Sequence, residues 1–551
     1  MKQAHTARDD CEIRARRAIL IILLIASVIR LHSLAFGLPA VNDQDELIFQ
    51  LGAVRMLSGP TLNPHWFGHP ATTTMYALAI SDVLAFLTGL VAGLWNSVGG
   101  FIKAAYADPT WLILLGRLIM LVFGCLSIVL TARLGEKAAG RNVGLGAAAL
   151  LAIAPLHIEL SQITRSDMMA VCFMLLSILA VVRTPDRLGD LKPYIRAGAW
   201  AGVAVATKWP SVLVLACVFG AAFMQWRSGD RGLRLLLKRC LVGAAAAVAT
   251  LVLVSPFLVL DWQTVAVNLT AEARHAHLGA TGGSVLYNVG WYVRIPLFRS
   301  FGVIGTALGF IGIVLLTRYP IGRFILLPFL ASQMLLLASQ HLVWERWALP
   351  MLPFLAIGIA YATVAIVDFA RRQGTKWAIV TGLAVTIVTT VPMAIRARAE
   401  ATERLNDTRQ RASQLVMKLA KPGDSVLIEH FGFDLLPTDL LLLWPVPVSG
   451  CIDPRPILSG QVSLQQTEYL RGGNSNVDIG SVSMEKLATC RADYIILTHY
   501  DRYIREQHRF PEQVGHYKAL INDYEEVAVF EPVTSSQSTR IVRVLRRKLE
   551  R

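Results

Sequence analysis

The chain has 551 residues, of which 54% are hydrophobic and only 17% charged, and its mean hydropathy is +0.50. An ordinary soluble domain carries about 25% charged residues, so these values exclude a disordered, collagen-like or disulfide-framework protein and point to a chain held mostly in lipid. The formal net charge of +15 would suggest nucleic acid in a soluble protein, but here the basic residues fall in short clusters between apolar runs, which is the pattern of membrane topology.

The basic N-terminus (Arg14, Arg16, Arg17) leads into an apolar run, Ala18 to Ile29, followed by Arg30, Leu31 and His32 rather than a small-residue cleavage site. This predicts a retained first span over 18–36, not a cleaved signal. Arg30 must then find a partner or reach the headgroups. Further apolar segments near the ~20-residue membrane length fall at 111–132, 143–160, 168–182, 197–207, 210–226, 240–260, 300–317, 322–340, 347–369 and 376–395. The stretch 69–94 is also long and apolar, but it opens with His69-Pro70 and carries Asp82 in its middle.

Lysine and arginine placement decides its reading. If 70–95 lies in the outer leaflet without crossing, the basic clusters within 133–142, 183–196, 227–239 and 370–376 all fall on the N-terminal side of the membrane. The sequence therefore predicts eleven spans with the N-terminus inside and the C-terminus outside. The Ala/Leu/Arg-rich spans and compact tail favour a bacterial inner membrane, with a periplasmic C-terminal domain. The first outer loop, 37–110, a second at 261–298 and the C-terminal region then share one side.

After Arg396 the pattern changes. A polar helix (Ala399 to Leu419) is followed by short strand candidates at Ser425–Ile428, Ala492–Thr498, and Glu525–Phe530 with Ile541–Val544. The expected architecture is a membrane all-α bundle over 1–396 with juxtamembrane helices in its first outer loop, and a soluble α/β domain over 397–551. Seven cysteines show no CxxC pair and no zinc spacing. Cys451 and Cys490 would face an oxidising compartment, where a disulfide and two separate thiols are both open.

Asn42-Asp43-Gln44-Asp45-Glu46 is the sharpest feature: three carboxylates in four positions just beyond a span. Acids at a helix N-terminus favour the dipole; the functional reading is a general base or a metal-binding cluster near the lipid surface. Asp167, in Thr164-Arg165-Ser166-Asp167, either caps the next helix or joins Arg165 in orienting substrate. Lys208, at the break before Trp209-Pro210, and Arg346, beside Glu345, either snorkel or meet a lipid phosphate, which an arginine grips bidentately. His69, His275, His277 and His341, with Glu46 or Glu272, leave a zinc or manganese site open. Outer aromatic residues such as Trp66, Phe67, Trp344 and Trp347 suit the interfacial belt. No phosphate-cradling glycine loop, GxSxG or HExxH is present, so nucleotide hydrolysis and protease chemistry have no support.

Asp43-Gln44-Asp45-Glu46 followed by Ala53-Val54-Arg55-Met56-Leu57 resembles the opening of polytopic glycosyltransferases with the GT-C fold, among them the aminoarabinose transferases of lipid A and the protein O-mannosyltransferases. His69-Pro70, Arg165-Ser166-Asp167, Thr207-Lys208, Glu345 to Pro350 and Asp407-Thr408-Arg409 resemble later motifs of these proteins, in order, over residues 20 to 545. Ala71 and Trp347 depart from the family, which has proline and tyrosine there. The resemblance implies a polyprenyl-phosphate-linked sugar as donor and a glycan, lipid or protein acceptor whose hydroxyl attacks with inversion. It implies Asp45 as base, supported by Glu46 and Asp43. Asp167, Arg165 and His69 would orient the acceptor, and Lys208 and Arg346 would hold the leaving phosphate. It calls for no definite cofactor, a divalent metal staying open, and for no nucleic acid. A flippase of a lipid-linked glycan, or a glycan ligase or polymerase using Arg274, His275, His277 and Arg294, is the alternative.

Overall fold

The computed structural model describes residues 2–59, 61–182, 189–228, 232–430, 432–458, 461–462, 466, 469–470, 478–534 and 540–548. Parts of two expected inner loops, 183–188 and 229–231, lie outside these residues. Helix α1 (Lys2–His32) opens a helical bundle, and α2 (Gln44–Ser58), α3 (Thr72–Val91) and α4 (Val98–Ala107) fill the first loop. The bundle continues through α5 (Thr110–Ala139), α6 (Arg141–Ile153), α7 (Pro155–Leu160), α8 (Ser166–Val182) and α9 (Lys192–Thr207). A 3₁₀ turn at Trp209–Val214 leads into α10 (Leu215–Ser228), then α11 (Leu233–Val254), α12 (Phe257–Leu260) and α13 (Trp262–Glu272). After the second loop come α14 (Val285–Tyr292), α15 (Phe298–Leu316) and α16 (Leu327–Ala338). A 3₁₀ turn at Glu345–Met351 precedes α17 (Leu352–Arg371), and α18 (Thr375–Leu405) ends the bundle.

Among the described residues, seven helices are long and apolar enough to cross a membrane. Their outward faces are apolar, with Val122, Leu241, Leu253, Val314 and Leu383 exposed, as contact with lipid tails requires. Helices meet through small residues, because lipid gives no hydrophobic drive between helices and close backbone approach must supply the contact. A Cβ on Gly198 of α9 would come within 2.1 Å of the Gly243 carbonyl of α11, and one on Gly312 of α15 within 1.9 Å of the Gly358 carbonyl of α17.

By length and composition α3 is itself one of the seven, yet its contacts run along one end of the bundle. Thr72 bonds Ser255, after α11, at 2.6 Å; Thr73 bonds Thr207, the last residue of α9, at 2.6 Å. Thr74 reaches Met169 in the first turn of α8 at 3.4 Å, and both Asp82 oxygens accept from Gln50 of α2 at 2.8 and 2.7 Å. Ten residues of helix span about 15 Å, and all these partners sit at the same end. The basic-residue pattern pointed to the same arrangement.

The buried arginines close on polar groups inside the bundle. Arg30 donates to the Ala26 and Ala152 carbonyls, to Ser161 and to His157. Arg299 of α15 holds Glu159 of α7, Glu345 and Glu400 of α18, which pins the backbone just before Arg346.

The C-terminal domain starts with α19 (Thr408–Leu419) and builds a six-stranded mixed sheet from β1 (Ser425–Ile428), β2 (Leu441–Val446), β3 (Gly450–Ile452), β4 (Tyr494–Leu497), β5 (Tyr524–Phe530) and β6 (Val542–Arg547). The order is β3-β2-β1-β4-β6-β5, with β1 parallel to β2 and β4. A disulfide joins Cys451 to Cys490 over a sequence separation of 39 and ties edge strand β3 to the domain. Closing a loop of that length removes about 4 kcal/mol of chain entropy from the unfolded state. Cys490→Ser is therefore expected to lower the thermal midpoint of this domain, read by near-ultraviolet circular dichroism, and dithiothreitol should reproduce the loss in the native chain.

Candidate active site

Helix α2 starts directly after Asp43, whose carboxylate accepts from the Asp45 backbone N–H at 3.0 Å. Successive helical residues point about 100° apart, so Asp45 and Glu46 face different ways, and Asp45 shares Arg165 with the capping Asp43. Asp43 takes Arg165 Nη2 at 2.8 and 2.9 Å. Asp45 takes Arg346 Nη1 at 2.8 Å and lies 3.1 Å from Arg165. Burial alone would raise the Asp45 carboxyl, but the charges of Arg165 and Arg346 hold it well below the usual carboxylate range.

Glu46 corrects the sequence reading, which grouped it with the chemistry. It turns into the bundle, fully buried, and takes Arg117 of α5 through both oxygens at 2.8 and 2.7 Å. It also accepts from the Thr164 N–H at 2.9 Å, while Arg117 donates to the Leu34 and Phe36 carbonyls. Glu46 thus locks the first loop to α5 and to the turn before α8, and it has no free face for substrate. The signal for Arg117 was present, since a charge inside the 111–132 span needs a partner. Removing one member of such a pair leaves a buried charge uncompensated, at a cost of about 3–5 kcal/mol. Arg117→Met should accordingly lower the aggregation midpoint in detergent by several degrees, and adding Glu46→Gln should recover part of the loss.

Lys208, at the end of α9, is paired with Asp167 in the first turn of α8. The second Asp167 oxygen, His69 Nδ1, Arg346 Nε and Arg165 Nε are buried without a hydrogen-bond partner among the described residues. His69 packs against Phe49 and Trp66, with ring centroids 5.9 and 5.5 Å away. Burial first, then the charges of Lys208 and Arg346, press its imidazole down to about 3, so it is neutral. Arg346 stacks over Trp344 at 4.8 Å, and Trp344 meets His277 at 5.0 Å.

A cavity of about 120 Å³ opens beside these groups. Asp167, Lys208 and Arg346 form its charged part; Ala170, Met174, Leu336, Leu337, Leu349 and Pro350 form apolar walls, and Gln333 and Gln340 also line it. A ligand with a charged head and an apolar body suits that lining.

The structure therefore brings Asp43, Asp45, Arg165, Asp167, His69, Lys208 and Arg346 to one end of the bundle. It does not assemble the histidine constellation. His275 and His341 meet at 4.6 Å, His277 lies on Trp344 and His69 is elsewhere. Among the described residues no three His, Cys, Asp or Glu side chains gather where a metal could sit.

Comparison with solved structures settles the architecture. The apo form of ArnT from Cupriavidus metallidurans superposes with a TM-score of 0.51 at 13% identity, covering 96% of this chain and 98% of that one. The fold is the GT-C fold. An oligosaccharyltransferase from Archaeoglobus fulgidus, tethered to an acceptor peptide, shares it with a TM-score of 0.50 at 10% identity over 95% of this chain and 74% of that one. Residues 108–260 match the family described as dolichyl-phosphate-mannose-protein mannosyltransferase. No curated protein sequence matches the chain. The GT-C resemblance read from the motifs thus holds at the level of fold, and the matched segment spans α5 to α12, which carry Arg165, Asp167 and Lys208.

Proposed function

We propose that the chain is an integral-membrane glycosyltransferase. It moves a monosaccharide from a polyprenyl-phosphate carrier to an acceptor hydroxyl, with inversion, on the outer face of a bacterial inner membrane. The observation that carries this reading is the position of Arg346, which holds Asp45 through Nη1 while lining the cavity with Lys208. A phosphate carried on a hydrocarbon tail has the charge and the apolar body that this cavity accepts. The family match, whose description names a dolichyl-phosphate-linked sugar, supports the same donor class.

In the proposed reaction the acceptor hydroxyl gives its proton to the Asp45 carboxylate as its oxygen attacks the anomeric carbon. The bond from that carbon to the phosphate oxygen breaks on the opposite face, and the electron pair leaves with the polyprenyl phosphate. Lys208 and Arg346 neutralise the charge that grows on the phosphate. Asp167 aims Lys208, Asp43 and Arg165 fix the base, and neutral His69 offers an uncharged hydrogen-bonding nitrogen to a substrate hydroxyl.

A carboxylate clamped by two guanidiniums is a weak base. A donor phosphate competes with Asp45 for Arg346, and losing that partner raises the basicity of Asp45. The base is thus strengthened when donor is in place. The reading is tested by offering the purified protein sugar-labelled polyprenyl-phosphate monosaccharides with a hydroxyl acceptor or water. Release or transfer of one labelled sugar supports it; a chain that moves the intact lipid across vesicles without cleaving it overturns it.

A further inference from the structure

The loop that delivers Asp43 and Asp45 is held from outside the bundle. At the start of α19, Asp407 accepts from the Arg409 backbone N–H at 2.9 Å and takes Arg409 Nε and Nη2 at 2.9 and 2.7 Å. With its plane fixed, the guanidinium presents Nη1 to the Asn42 carbonyl at 2.6 Å. Gln410 reaches the Leu38 carbonyl at 3.3 Å, and Val41 is buried with Ile113 and Phe433. Thr408 bonds the Arg540 carbonyl at 2.8 Å and so ties α19 to the sheet. The Asn42 amide is buried and makes no hydrogen bond among the described residues, so the carbonyl tether is the polar hold on this residue.

We propose that Arg409 is a positioning residue for the transfer reaction. Through the Asn42 carbonyl, one residue before the cap of α2, it sets the direction in which Asp45 faces the substrate. The C-terminal domain thereby fixes the catalytic geometry. This rests on the reading of Asp45 as the base. The fork geometry explains why arginine is used: three of its nitrogens act at once, two on Asp407 and one on a carbonyl, which a lysine ammonium cannot do.

The test compares hydrogen exchange and turnover in the full-length protein, native, Arg409→Met and Arg409→Lys. The expected result is faster amide exchange confined to residues 40–48 in both variants, with the sheet of the C-terminal domain unchanged. Turnover of a labelled polyprenyl-phosphate sugar should fall by about 10²-fold, the cost of roughly 1 Å of misplacement, with the donor KM little altered. Unchanged exchange over 40–48 overturns the proposal, as does faster exchange spread over the whole chain. If Asp45→Asn keeps full turnover, the reading of the base fails instead, while the exchange data still decide whether Arg409 holds the loop.

Discussion

Asp45→Asn should lower turnover by about 10²–10⁴-fold, the usual contribution of a positioned general base, while donor binding stays near native. Asparagine keeps the shape and still accepts from Arg346 and Arg165, but it takes no proton. The pH dependence carries a second signature. A carboxylate base works only above its pKa, and in the free protein Asp45 sits below the usual carboxylate range because two arginines outweigh its burial. The acid limb of kcat/KM, which reports the free protein, should therefore lie below the range in which an ordinary aspartate titrates. The acid limb of kcat, which reports the donor complex, should lie at higher pH, since bound phosphate draws Arg346 from Asp45.

Arg346→Ala should cost about 10²–10³-fold in kcat, the loss typical when one preorganised group facing developing charge is removed. Arg346→Lys should recover little of it, because an ammonium is a point charge without the planar fork that grips a phosphate bidentately. In the alanine variant Asp45 keeps Arg165 alone, so its pKa rises and the acid limb of kcat/KM moves to higher pH. A pH profile recorded for native and variant protein separates this from a simple loss of binding.

Much of the fold was legible because apolar run length and basic clusters act locally. The eleven expected spans all appear as helices, and α3 was read as a juxtamembrane element from charge placement. Strands β2 and β3 were not foreseen. Leu441 to Val446 is an unbroken apolar run containing Pro445, which argues against a strand, and β3 has three residues. The acids of α2 were legible as a cluster, but their separate fates were not. Which carboxylate meets which arginine depends on helix direction and on partners far along the chain: Asp45 and Arg346 are separated by 301 positions. Glu46 was grouped with the chemistry for that reason, and Arg117, the group that claims it, was overlooked inside an apolar span. Arg409 belonged to a recognised motif, yet its grip on Asn42 is a contact between domains that no local spacing encodes.

In the proposed mechanism Asp45 takes the proton while Lys208 and Arg346 hold a lipid-borne phosphate. A single-turnover experiment tests it most directly: excess detergent-solubilised protein, one labelled polyprenyl-phosphate sugar, and donor binding measured in parallel for native and Asp45→Asn chains. The expected result is equal donor binding, sugar released or transferred by the native chain, and release abolished in the variant. Sugar release at the native rate by Asp45→Asn, with binding intact, would contradict it.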